Sequence, residues 1–441
     1  MKISRQSYSK DIQLFFILFL ILLISRQPEA VSEDSKLAIG KRYFYSGEFE
    51  KADKALRQAI DKDPENAESY YFLGYTLSRI LGKYHEEIPQ TSFKNCEIIS
   101  QPLEKAIELQ PLYKGELYLL NPRDKLMSEW SCLALRYMSE DRIDQIKMAF
   151  GQAKKRGGFN QAVSEFMYNM LLSCPEKAIL VTAGDMDTFY GLYLQIMENM
   201  RTDVTIVNIH LLRSLWYIRM VMKEHLWQTD GVKFNLSEND LVNLERFQNK
   251  FRGPFELSIP KYCVNKTGKN NVSMHVTPIV ERNSSKKPPL NELVLSKMVE
   301  ANPMRPICFA STVSGFKIDY HFEINNKKVT IDSIIEFNGL FNQLTFCKDI
   351  SENNIEKLRK LFINDFKFEA IPDSDEINSF KPINFYILCI SQIAKKLEKD
   401  EGEQSARDIL AWFVKKVPGI RYLDNHKLRN FLLNSSGKAT D

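Results

Sequence analysis

Ile39-Gly-Lys-Arg-Tyr-Phe-Tyr-Ser-Gly-Glu-Phe-Glu-Lys-Ala-Asp-Lys-Ala-Leu-Arg-Gln-Ala-Ile-Asp-Lys-Asp-Pro64 decides the architecture of the N-terminal part. Ile39, Gly40 and Tyr43 recur at helical spacing and form the inward stripe of a first helix. Gly47 supplies a turn. Ala52, Leu56 and Ala59 face back from a second helix, and Pro64 ends it because proline cannot continue the hydrogen-bond ladder. Small residues stand where the two helices touch, and large ones fill the spaces beside them.

Two antiparallel helices closed by a proline in about 34 residues are the tetratricopeptide unit. A second unit opens at Ala67. Tyr70, Leu73, Gly74 and Leu77 belong to its first helix, and Leu103, Ala106 and Pro111 to its second, displaced by an inserted loop over residues 84–95. A third fits Trp130, Leu133, Ala134, Tyr137, Ile146, Phe150 and Ala153, with Gly157-Gly158 in place of the closing proline. A fourth hairpin fits Ile390, Ile393, Ala394 and Leu397, then Ala406, Leu410, Phe413 and Pro418. Gly40, Tyr43, Ala52, Ala59, Pro64, Gly74, Ala106 and Pro111 are thus the expected packing positions. One unit cannot bury its apolar face alone, so neighbours stack and leave a concave surface. That surface is the expected docking place of a protein partner; these patterns leave the oligomeric state open.

After Phe159 the pattern changes. Ala178-Ile-Leu-Val-Thr182 is a short apolar run with the character of a buried strand, and residues 188–200 read as a helix. Val204-Thr-Ile-Val-Asn208 is a second strand, followed by a helix over residues 211–223. Strand, helix, strand and helix with short links imply parallel pairing in an α/β layer. Residues 272–277, 306–312 and 337–344 are further strand candidates, with a helix over 290–301. The polar, glycine-bearing residues 261–271 read as a mobile loop. The expected fold is therefore α plus α/β: tetratricopeptide hairpins at 32–160, a Rossmann-like sheet domain at 170–345, and a helical region at 350–441 with one repeat-like hairpin.

Two stretches resemble the soluble C-terminal region of a family of bacterial envelope proteins. Its longer members join that region to a membrane half related to protein O-mannosyltransferases. The first is Cys174-Pro-Glu-Lys-Ala-Ile-Leu-Val-Thr-Ala-Gly-Asp-Met-Asp-Thr-Phe189, continuing through Arg201-Thr-Asp-Val204 to Trp216-Tyr-Ile218. The second is Asn302-Pro-Met-Arg-Pro-Ile-Cys-Phe-Ala310 with Glu336-Phe-Asn-Gly-Leu340. Met186 stands where that family has asparagine, and Tyr190-Gly191 where it has proline. The resemblance implies an envelope setting and an α/β fold. It implies no activity, because the half that would carry glycosyl transfer is not matched.

Asp185 and Asp187 follow a strand directly, where open α/β sheets bind ligands. Two carboxylates there could hold a cation beside a phosphate or a nucleotide sugar, and His210 lies at the end of the neighbouring strand. Equally, the aspartates could accept the free N–H groups of a helix starting at Thr188; Asp61/Asp63 and Asp373/Asp375 repeat the spacing in loops. Arg201 with Asp203 reads as a pair fixing a turn. The six histidines show no metal-ligand spacing, and no nucleophile elbow, phosphate loop or dinucleotide glycine pattern occurs. No catalytic residue, cofactor or metal site is assigned, and an interaction protein is favoured over an enzyme. Sixty basic against 56 acidic residues leave a net charge of +4, which offers nothing to nucleic acid. Seven cysteines without a C-x-x-C pair argue against a zinc or redox site. Lys2, Arg5 and Lys10 precede an apolar run from Ile12 to Ile24, shorter than the roughly 20 residues that cross a bilayer. Residues 1–31 are thus expected to be a signal peptide or a retained N-terminal anchor, and the chain periplasmic or otherwise extracytoplasmic.

Overall fold

The computed structural model describes residues 35–82, 89–228, 230–250, 255–258, 272–278, 289–302, 304–313, 318–324, 327–330, 335–337, 340–344, 354–369 and 382–417. The apolar run at 12–24, the loop read at 261–271 and Pro418 lie outside them. No helix among the described residues is long and apolar enough to cross a membrane.

The N-terminal hairpins are α1 (Lys36–Tyr45) with α2 (Phe49–Lys62), α3 (Ala67–Leu81) with α4 (Phe93–Leu109), and α5 (Pro122–Ser139) with α6 (Ile143–Lys155). These are tetratricopeptide-like helices. Ser35, Asn66, Ser92 and Asn121 each accept a backbone N–H from the first turn of the helix they precede. Gly47, at φ 78°, makes the first hairpin turn that a side chain would strain. Gly40 and Gly74 are contact points between helices. A Cβ on Gly40 would meet Leu56 Cγ at 2.7 Å, and one on Gly74 would meet Leu103 Cδ2 at 2.5 Å. Ala52, Ala59 and Ala106 are buried, whereas Pro64 and Pro111 are exposed in the links and Tyr43 is half-buried.

Helix α7 (Gln161–Ser173), which the sequence pattern does not announce, leads into the sheet region. There follow β1 (Ile179–Thr182), α8 (Asp185–Glu198), β2 (Thr205–Asn208), a 3₁₀ turn (Ile209–Arg213) and α9 (Leu215–Val221). Two short helices, α10 (Glu238–Val242) and α11 (Leu244–Lys250), precede β3 (Phe255–Ser258) and β4 (Val272–Pro278). Helix α12 (Leu290–Ala301) and β5 (Ile307–Ala310) come next, then β6 (Ile318–Ile324), β7 (Lys327–Thr330), β8 (Ile335–Phe337) and β9 (Phe341–Leu344).

The five-stranded sheet has the order β2-β1-β5-β9-β8. The pairs β1–β2 and β1–β5 are parallel, and β5–β9 and β8–β9 are antiparallel, so the sheet is mixed. The stretch 337–344 contributes to two strands, not one, which is how the antiparallel edge arises. The candidate at 272–277 is β4, and it does not enter this sheet. It joins a separate antiparallel sheet, β3-β4-β6-β7. The helix read at 211–223 is a 3₁₀ turn followed by the short α9, because Asn208 accepts the N–H groups of His210 and Leu211 and tightens the chain there.

Beyond α13 (Asn354–Asn364), α14 (Pro382–Glu401) and α15 (Glu403–Lys416) form the last hairpin, turning at Gly402. This hairpin is tied to α7: Asn169 donates to the Tyr386 hydroxyl at 2.8 Å and to the Lys367 carbonyl at 2.7 Å. Cys96, Cys174, Cys308 and Cys389 are buried and Cys132 half-buried, all with free thiols.

Candidate functional site

Helix α8 starts at Asp185, three residues before the start expected from its apolar spacing, and Gly184 is its N-cap. Asp187 therefore does not cap forward into the helix. It sits at the third helical position and reaches back to the N-cap and the residue before it, in the link after β1. Its two oxygens accept the N–H groups of Gly184 at 2.8 Å and Ala183 at 2.9 Å. The Thr312 hydroxyl donates to it as well, and the Thr188 hydroxyl approaches at 3.4 Å. Both oxygens are thus engaged, and a carboxylate has about four acceptor positions. Asp187 is 1% exposed. Burial holds its carboxyl above the usual aspartate range, while the donors from Thr312, Ala183 and Gly184 pull it back down.

Asp185 points elsewhere. It accepts the Ser128 hydroxyl of α5 at 2.6 Å. Burial raises its carboxyl too, with the Ser128 hydrogen bond and the Lys125 charge acting in the opposite sense. The two aspartates hence serve different partners and do not converge on a common point. His210 lies at the end of β2 as read from the sequence, but it is exposed, and its backbone N–H is spent on Asn208 Oδ1 at 2.8 Å. No hydrogen bond or ion pair among the described residues joins its ring to either aspartate. Nor is any cluster of three or more histidine, cysteine, aspartate or glutamate side chains spaced for a metal ion among the described residues.

Asp185 belongs to a polar seam between the repeats and the sheet region. Lys125 pairs with the fully buried Glu129, which accepts the Ser78 hydroxyl at 2.7 Å. Nearby, the Tyr190 hydroxyl donates to Asp124 at 3.3 Å and accepts the Asn160 N–H at 2.8 Å. Tyr190 and Gly191 stand where the envelope-family pattern has proline. Tyr190 builds the seam, and Gly191 lets α8 press on β2, since a Cβ there would meet Ile206 Cδ1 at 2.7 Å. Arg201 grips the opposite end of α8: it pairs with Asp203 at 2.7 Å and donates to the carbonyls of Leu171, Cys174 and Pro175. Arg305 likewise donates to the carbonyls of Lys177 and Gly231 and to Thr205 Oγ1.

The inner face of the repeats, formed by the first helix of each hairpin, is not bare. Over α5 it is closed by α8. Over α1 and α3 it carries the chain's own link, residues 112–120, as an irregular strap. Tyr71 donates to the Leu120 carbonyl at 2.9 Å and accepts the Tyr118 N–H at 2.9 Å. Tyr75 donates to the same carbonyl at 3.0 Å and accepts the Leu120 N–H at 2.7 Å. The Tyr118 ring stands edge-on to Phe44 at 4.9 Å and to Tyr75 at 5.3 Å, and the Tyr113 ring lies 4.7 Å from Tyr71. Lys41 pairs with Glu116 of the strap and with Glu68, and the Tyr45 hydroxyl donates to Glu116 at 2.5 Å. Sequence reasoning missed this arrangement. Its one local signal is the density of tyrosines on both sides of the contact.

A helical-repeat module joined to a mixed α/β layer is the class of protein these elements define. The TPR repeat family model matches residues 40–80, and that of the TMEM260-associated domain 2 matches residues 163–290. The chain is thus similar to a tetratricopeptide repeat over the first of these stretches and to the TMEM260-associated domain over the second. No curated protein and no solved structure matches it. Tetratricopeptide repeats mediate protein–protein interaction, and that is the general function the first match carries.

Proposed function

We propose that this chain is an extracytoplasmic scaffold of the cell envelope that binds a protein partner through its tetratricopeptide module. The observation that carries the reading is the inner face of α1 and α3. It combines hydroxyls that satisfy backbone groups, aromatic edges and a lysine, and it holds a non-helical piece of polypeptide by all three. The domain division at 32–160, 170–345 and 350–441 belongs to the same proposal. So does the role of residues 1–31 as an export signal or anchor, supported by the basic start and the apolar run.

Photo-crosslinking side chains at Tyr45 and Leu119, both exposed at the edge of this face, test the interaction. They should trap a discrete partner in cells, and a crosslinker at the distant exposed Leu388 should not. No adduct from either inner position would overturn the reading. Fusing residues 1–35 to a reporter active only outside the cytoplasm tests export, and a silent reporter would overturn that part.

A second reading, a sugar or nucleotide-sugar site at the strand ends, is favoured by one observation. The Ser311 hydroxyl, at the end of β5, is buried with no hydrogen-bond partner among the described residues. Uridine diphosphate glucose should then raise the melting temperature of the parent chain and not of Ser311→Ala. No shift in the parent would remove this reading.

A further inference from the structure

We propose that the inner face of α1 and α3 is a displaceable peptide groove, and that its partner is an extended peptide bearing a carboxylate flanked by aromatic side chains. Residues 112–120 are then its resident competitor. This rests on the interaction reading above and goes beyond it by specifying the ligand's chemistry and what stands in its way.

Three features of the strap carry the inference. First, its backbone is held by side chains. Tyr71 and Tyr75 take the N–H groups of Tyr118 and Leu120. Such bonds are made equally well to any extended peptide, because they read backbone and not sequence. Second, the charge is complementary at one point: Lys41, half-buried, faces Glu116, and Tyr45 donates to the same carboxylate. Third, Arg79 donates to the Tyr118 hydroxyl at 3.1 Å and lies 6.0 Å from the ring centre, so the aromatic subsite has a cationic wall. The strap also leaves apolar side chains in water, with Leu112 37% and Leu119 65% exposed. Its Tyr113, Leu117, Tyr118 and Leu120 side chains are the ones that pack into the groove.

A tethered segment competes at a high effective concentration, of millimolar order for a short link. An incoming peptide therefore gains when the strap is weakened and the groove is left intact. Glu116→Ala combined with Tyr118→Ala removes strap contacts and touches no groove residue.

The probe is a labelled synthetic peptide with the sequence of residues 112–120, read by fluorescence polarisation on the full chain. The double variant should bind it about tenfold more tightly than the parent, equivalent to about 1.4 kcal/mol of lost competition. A peptide with lysine at the glutamate position should fail to bind, and Lys41→Glu in the double-variant background should restore it. A double variant that melts cooperatively and takes no peptide overturns the proposal.

If the double variant does not fold, hydrogen exchange on the unmodified chain decides. Excess peptide should speed exchange at the Tyr118 and Leu120 amides and leave α4 unchanged. Unchanged strap amides overturn the proposal. A chain that refuses the peptide yet still yields crosslinks at Tyr45 and Leu119 would defeat the groove and leave the interaction reading standing.

Discussion

Asp187 on α8 accepts the hydroxyl of Thr312, just beyond the end of β5, and so ties the first turn of the helix to a strand 125 positions away in the chain. The same carboxylate holds the N–H groups of Ala183 and Gly184, one on each oxygen. This explains why an acidic residue follows the strand here without a ligand being needed.

The arrangement makes asparagine a poor substitute. A residue that merely capped a helix would tolerate the change, because one side-chain oxygen suffices. At Asp187, the amide nitrogen of asparagine would face a backbone N–H, donor against donor. Asp187→Asn should cost about 1–3 kcal/mol, comparable to Asp187→Ala. Thermal and denaturant melts of both variants check this. An asparagine variant as stable as the parent would mean that one of the two N–H bonds is dispensable. Added magnesium or manganese should leave the parent's melting temperature unchanged, since both oxygens are already engaged.

Packing in the first two hairpins has no slack at the glycines. Gly40→Ala and Gly74→Ala drive a methyl into Leu56 and Leu103, respectively. Each should cost about 1–3 kcal/mol, as should Ala52→Leu at a site with no exposed surface. The measurement is the shift in denaturant midpoint of the full chain. Gly151→Ala, where a Cβ meets nothing within 4 Å, is the control and should be neutral or slightly stabilising.

Arg201 is irreplaceable by lysine on geometric grounds. Its guanidinium makes two bonds to Asp203 and four more to the carbonyls of Leu171, Leu172, Cys174 and Pro175. A lysine has three donors on a point charge and cannot reproduce the fork. Arg201→Lys should lose about 2 kcal/mol in chemical denaturation. A variant within a few tenths of the parent would show that the carbonyls are satisfied by water.

Alkaline pH should loosen the strap. Burial pushes the Tyr71 hydroxyl from 10.0 up to about 12, and Tyr75 and Tyr113 upward as well. The folded state thus keeps these protons longer than the unfolded chain does. The contribution of Tyr71 to stability is fully present below pH 10 and is lost as the pH rises from 10 through 12. The melting temperature should fall across that range, and less steeply in Tyr71→Phe. Equal slopes in the two proteins would contradict the assignment.

Much of the helical architecture is written locally. The hairpins can be read because a helix brings residues three and four apart onto one face, so Gly40, Tyr43, Ala52 and Ala59 declare themselves within a short window. The parallel strands β1 and β2 can be read for a similar reason, as short apolar runs around a helix. Even the Arg201–Asp203 pair is local. The acidic pair was visible as composition, but its role was not: the start of α8 depends on Gly184 and on Thr312, which no periodicity connects. The tertiary structure alone decided three things: the second sheet, the seam from Asp185 to Ser128, and the strap that Tyr71 and Tyr75 hold against α3. Those two tyrosines and Leu120 stand 49 and 45 residues apart. A contact at that separation leaves no periodic trace, because it is set by how hairpins stack and by which buried hydroxyls and backbone groups must find partners once water is gone.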